Sequence, residues 1–129
     1  METLMIEPSK STPKIHFDPS TGKLLISGHA YPENAFKFFE PILQWLDLFL
    51  AENRAQFTVD FELRLPYMNT SSTKCFMILL EKLDDAYRGG MQVTVRWYYN
   101  PDNERELECA EEFKEDLQLP FELIPIEES

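Results

Sequence analysis

The chain has 129 residues, with 12 basic against 23 acidic, a formal net charge of −11 and an apolar content of 43% that includes ten phenylalanines. That length fits one domain, with enough apolar material for a real core. The charge sets the chain against phosphate backbones and anionic lipid, so no nucleic-acid or membrane partner is expected; partners with basic faces are favoured, although general acidity accounts for most of the charge.

Cys75 and Cys109 lie far apart, outside any Cys-x-x-Cys pair, and the chain has only two histidines. No metal site or other cofactor is expected, and a disulfide stays open. Met1 to Ile6 has no basic flank and no signal-length apolar run. The most apolar stretch, Ala35 to Ala51, is interrupted by Lys37, Glu40, Pro41, Gln44 and Asp47, so it is no membrane span. The cytoplasm is the expected location.

Along the chain, residues 1–10 read as a loose terminus, with the short run Leu4 to Ile6 as an optional edge strand. Lys14 to Asp18 alternates apolar and polar, Pro19-Ser20-Thr21-Gly22 is a turn, and Lys23 to Ser27 returns as the second arm of a hairpin. A helix is expected from about Glu33 to Glu52, with Ala35, Phe38, Phe39, Ile42, Leu46, Phe49 and Leu50 on one face. Pro41 inside it predicts a kink or two pieces. Phe57 to Leu65 is the clearest strand, odd positions inward, ended by Pro66. After Tyr67 to Thr73, a helix runs to Arg88 on a face of Cys75, Phe76, Leu79, Leu80, Leu83, Ala86 and Tyr87, and Gly89-Gly90 stops it. A strand from Met91 to Tyr98, a helix from Glu104 to Leu117 and a strand from Phe121 to Ile124 complete the chain, and residues 126–129 read as loose. The alternation of strand and helix predicts a single α/β domain over residues 1–129, a mixed sheet with helices packed on it, and parallel pairing of the two strands that flank the second long helix.

The chemistry concentrates at Asn69-Thr70-Ser71-Ser72-Thr73, a hydroxyl run between a core strand and a helix. A helix start has N–H groups without partners and partial positive charge, which hydroxyls and Asn cap and which a phosphate can also use. Capping is the ordinary reading from composition alone. A phosphate-accepting turn is the second, either as a modified residue or as a seat for a phosphorylated ligand.

The run Leu65 to Ser72, followed by the helix and Gly89-Gly90, resembles the phosphosite turn of STAS domains, the anti-sigma-factor antagonists. More closely, the chain resembles the SiaC family of bacterial regulators. The similarity is carried by Ser11-Thr12-Pro13, Tyr31-Pro32-Glu33-Asn34, Tyr67-Met68-Asn69-Thr70-Ser71-Ser72, Arg88-Gly89-Gly90, Arg96-Trp97-Tyr98-Tyr99, Glu111 to Asp116 and Pro120-Phe121, in that order. Pro41 and Pro66 depart from the pattern. The resemblance implies a STAS-like fold; no enzyme activity is expected, because no nucleophile–base–orienter arrangement can be assembled from the sequence. It implies a phosphorylation switch at Thr70, with Ser71 as second choice. It also implies a cognate Ser/Thr kinase, a PP2C-like phosphatase, and a diguanylate cyclase bound and activated by the unphosphorylated form in cyclic-di-GMP signalling and biofilm regulation. Partner contact falls on Tyr31, Pro32, Glu33, Asn34, Tyr67, Asn69, Thr70, Ser71 and Ser72. The oligomeric state is left open.

Each of these residues also has an ordinary reading. Pro32, Glu33 and Asn34 suit simple helix initiation. Lys74 is either a phosphate partner or a solvated lysine, and Trp97 and Tyr99 either a contact surface or core. Glu104, Glu106, Glu108, Glu111, Glu112, Glu115 and Asp116 read as a solvated acidic face, or as a seat for a basic groove. The competing function is a small ligand-binding domain or enzyme that holds a phosphorylated ligand at Asn69 to Thr73. It requires further polar residues and a Gly-rich loop converging there, and neither is visible in the sequence.

Overall fold

Alternating side chains and tight turns build the N-terminal third. In the computed structural model, which describes residues 1–52 and 58–126, the strands β1 (Leu4–Ile6), β2 (Lys14–Asp18) and β3 (Lys23–Ser27) pair antiparallel in sequence order. The expected hairpin is therefore present. The expectation of a loose segment over residues 1–10 needs correcting: Leu4–Ile6 pairs with Ile15–Phe17, and the Trp45 indole donates to the Glu2 carbonyl at 2.9 Å.

Three strand–helix units follow. Helix α1 (Ala35–Glu52) leads to β4 (Thr58–Arg64), α2 (Thr70–Arg88) to β5 (Gln92–Tyr99), and α3 (Glu104–Glu115) to β6 (Phe121–Pro125). Strands β3 to β6 are all parallel neighbours, giving one six-stranded mixed sheet in the order β1-β2-β3-β4-β5-β6. The expected central strand is β4, flanked on both sides. Phe57, its expected first residue, and the residues 127–129 of the expected loose end lie outside the described residues. Helix α1 runs unbroken through Pro41, so the two-piece alternative does not hold.

Each parallel step crosses the sheet in the same direction. Crossovers of one hand then put every helix on the same face. Burial agrees: Ile15, Phe17, Leu24, Ile26, Val59, Phe61, Leu63, Val93, Val95 and Trp97 are shut away, while the alternate positions of these strands keep contact with solvent. Phe17 meets Trp45 of α1, Phe39 of α1 meets Phe76 of α2, and Trp97 stacks on Phe113 of α3. The open face is polar, with Arg96 bridging Asp60 at 3.0 Å and Glu122 at 3.5 Å. No helix among the described residues is long and apolar enough to cross a membrane.

Candidate functional site

The hydroxyl run sits where a cap is required. Asn69 takes an extended backbone conformation and is the N-cap of α2; its Oδ1 accepts the Ser72 N–H at 2.9 Å. The Asn69 carbonyl accepts the Thr73 N–H and the Thr73 hydroxyl, at 2.9 and 3.0 Å. The helix therefore begins at Thr70, earlier than its apolar stripe indicates. Thr70 and Ser71 are exposed in the first turn, and Ser72 is buried, its Oγ without a hydrogen-bond partner among the described residues. The N–H groups of Thr70 and Ser71 belong to the helix start that has no acceptor within the helix.

Backbone hydrogen bonds draw three loops to this point. The Ala30 N–H donates to the Tyr67 carbonyl and the Asn69 N–H to the Ala30 carbonyl, both at 2.9 Å, and the Tyr31 N–H donates to the Ser11 carbonyl at 2.8 Å. The Asn69 amide also reaches the Pro32 carbonyl, at 3.4 Å. Gly28 feeds this junction at φ +127°, where a Cβ would come within 3.3 Å of the Pro13 Cα, so no larger residue fits without strain.

Segments far apart in sequence thereby become one surface. The Tyr31 and Tyr67 rings meet edge-on at 5.9 Å between centroids, and Tyr67 and Phe36 are more than half exposed. Glu33, two residues after Tyr31, is exposed. Two of the expected contact residues carry structural duties instead. Asn34 caps α1, accepting the Lys37 N–H at 3.1 Å, and Pro32 is buried. The helix start expected at Glu33 accordingly moves to Ala35. Lys74 is exposed one turn after Thr70. Trp97 is core, and Tyr99 packs partly against it.

The acidic face needs one correction: Glu106 is buried, with 9% of its surface exposed. It stands four residues before Ala110 and seven before Phe113, on the buried stripe of α3, so helical spacing marks the position even though a carboxylate occupies it. Asp84 of α2 is also buried and lies four residues after buried Leu80, on the apolar stripe of that helix. Cys75 and Cys109 are free thiols; burial raises the pKa of both, and the Glu112 charge adds to the effect at Cys109. No group of residues suited to holding a metal occurs among those described. The hollow next to Thr73 is lined by both Arg105 and Glu106.

Similarity to known proteins follows the same segments. The family described as SiaC family regulatory phosphoprotein matches residues 6–126. An uncharacterised protein of Pseudomonas aeruginosa strain UCBPP-PA14 is 43% identical over 121 residues, 94% of each chain. The crystal structure of apo-SiaC from Pseudomonas aeruginosa superposes with a TM-score of 0.87 at 40% identity, covering 96% of this chain and 99% of that one. SiaC in the crystal structure of the diguanylate cyclase SiaD with its activator SiaC, also from Pseudomonas aeruginosa, gives a TM-score of 0.90 at 41% identity, covering 95% and 99%.

Proposed function

The chain belongs to the SiaC family of regulatory phosphoproteins, and from that premise we propose that its unmodified form binds and activates a diguanylate cyclase, with a phosphate on Thr70 as the signal that releases it. The protein is a regulator and not itself an enzyme. In this reading a cognate Ser/Thr kinase writes the mark in the cytoplasm and a PP2C-like phosphatase erases it. The cyclase contacts Tyr31, Glu33, Tyr67, Thr70 and Ser71, while Pro32, Asn34, Asn69 and Ser72 hold that surface in shape.

The observation that carries the proposal is the placement of Thr70. It is an exposed hydroxyl at the first position of α2, beside two exposed aromatic rings that loop pairing gathers around it. A kinase can reach it. Phosphate adds roughly −1.5 to −2 charges at a helix end that tolerates negative charge, so the fold survives modification. A partner packed over Tyr31 and Tyr67 would have to desolvate that dianion, and an uncompensated buried charge costs several kcal/mol. About 2.7 kcal/mol is enough to weaken binding a hundredfold.

Calorimetry against the cognate cyclase tests this. Thr70→Ala is expected to bind like the unmodified protein, and Thr70→Glu and the phosphorylated protein about a hundredfold more weakly. Equal affinity across all forms, with circular dichroism showing intact folding, would return Thr70 to being part of a helix cap.

A further inference from the structure

Asn69 joins the start of α2 to the loop of residues 30–34 with its side chain as well as its backbone. Its Oδ1 accepts the Ser72 N–H at 2.9 Å, and its Nδ2 donates to the Pro32 carbonyl at 3.4 Å. Its own N–H donates to the Ala30 carbonyl at 2.9 Å. One planar amide therefore works in two directions. Its oxygen satisfies a donor that the helix leaves free, and its nitrogen holds the residue between Tyr31 and Glu33.

The two ends differ in strength. A separation of 2.9 Å is ordinary for N–H···O, whereas 3.4 Å lies beyond the usual range, so the Pro32 link is the weaker bond. The amide is rigid, and the stronger bond at Oδ1 sets where Nδ2 points. Pro32 is buried and has no N–H, so its backbone can be held by hydrogen bonding only through that carbonyl. Tyr31, on one side of it, packs edge-on against Tyr67, and Glu33, on the other, is exposed.

Thr70 is the first residue of α2 and follows Asn69 directly. A phosphate on its hydroxyl would bring negative charge and three acceptor oxygens to the helix end where the N–H groups of the first turn emerge. An N–H bond to an ionised acceptor is roughly twice as strong as one to a neutral acceptor. Asn69 Oδ1 is neutral, so a phosphate two residues before Ser72 outcompetes it for the Ser72 N–H.

We propose that Asn69 is a positioning residue that passes the Thr70 phosphate on to the surface formed by residues 31–34. The phosphate takes the Ser72 N–H, the Asn69 side chain turns away, and the Pro32 carbonyl is released. The backbone of Tyr31 and Glu33 then shifts in addition to the charge gained at Thr70. This role rests on the reading that Thr70 carries the switch phosphate. It goes beyond that reading, because a phosphate that merely blocked the surface would leave the loop in place.

Asn69→Ser tests the role. Serine caps a helix about as well as asparagine but has no amide with which to reach Pro32. Phosphothreonine is installed at position 70 by genetic encoding, so no kinase is needed. Backbone amide resonances are then compared with and without it in both backgrounds. In the wild type the phosphate is expected to move the Tyr31 and Glu33 resonances. In Asn69→Ser those resonances should start displaced, and the phosphate should add little. Equal phosphate-induced shifts in the two backgrounds overturn the role, since the direct field of a phosphate acts whether or not the Asn69 amide is present. Unmoved Tyr31 and Glu33 resonances in the wild type overturn it too. Should Asn69→Ser fail to fold, Asn69→Asp takes its place, because it also caps and also lacks the amide donor. Cyclase affinity of the same samples separates this role from the switch. If phosphothreonine weakens binding while the shifts in the two backgrounds agree, the switch stands and the role of Asn69 fails. If the shifts behave as expected while affinity is unchanged, Asn69 does pass the phosphate on, and the release reading fails.

Discussion

Four consecutive hydroxyl residues, Thr70 to Thr73, have three different environments. Thr70 and Ser71 face solvent, Ser72 is enclosed, and Thr73 donates its hydroxyl to the Asn69 carbonyl. A kinase therefore has two candidates here. Asp18 shows the same local logic at the hairpin turn. Its Oδ1 accepts from the Ser20 hydroxyl at 2.7 Å and from the Ser20 N–H at 2.9 Å. The hydroxyl first and the backbone bond second favour the charged form and hold the carboxyl below the ordinary aspartate value. A depressed native pKa means that the group's stabilising contribution is present at neutral pH, above the unfolded value, and is lost as the pH falls through the native one. Carbon-detected titration is expected to put the Asp18 midpoint below that of an unstructured aspartate, and Asp18→Asn to remove this part of the acid sensitivity. A midpoint at or above the ordinary value would contradict the hydrogen-bond account.

At the scale of elements, buried acids join the pieces. Asp84 of α2 is 4% exposed, and its Oδ1 accepts the N–H groups of Gln118 and Leu119 at 2.8 and 2.9 Å, while Arg88 approaches its Oδ2 at 3.4 Å. One carboxylate thus ties α2 to the α3–β6 connection. Asp84→Ala would leave two backbone donors without acceptors and should cost about 3 kcal/mol in urea unfolding, with Asp84→Asn costing less because it retains an acceptor. An Ala variant within 0.5 kcal/mol of wild type, the range of ordinary surface changes, would rule this out. Asp84 and Glu106 are both acids on apolar stripes, and Asp84 is the one that these hydrogen bonds hold.

At the scale of the whole molecule, the sheet has one helix-covered face and one open polar face. Neighbouring residues of β4 should therefore respond very differently. Phe61→Ala, on the covered face, is expected to cost about 3–5 kcal/mol, and Glu62→Ala, on the open face, within about 0.5 kcal/mol. Similar costs measured by denaturant unfolding would mean that the open face is covered in solution.

Period and punctuation in the sequence determined most of the elements and which of their faces turn inward, because backbone geometry ties side-chain direction to spacing. The hairpin, the inward odd positions of β4, the stripe of α2 and its stop at Gly89-Gly90 follow from local chemistry alone. So does the cap at Asn69, whose bonds to Ser72 and Thr73 span three and four residues. Only the tertiary structure decided that Ser11, Ala30, Tyr31 and Tyr67 close around Thr70, since the hydrogen bonds that gather them join residues with no shared local pattern. It also decided that β1 pairs, because an edge strand of three residues depends on its neighbour for stability. Glu106 illustrates the boundary between the two. Its spacing places it on the buried stripe and its carboxylate argues for solvent, and that conflict is settled by what packs over the first turn of α3, which no local window of sequence contains.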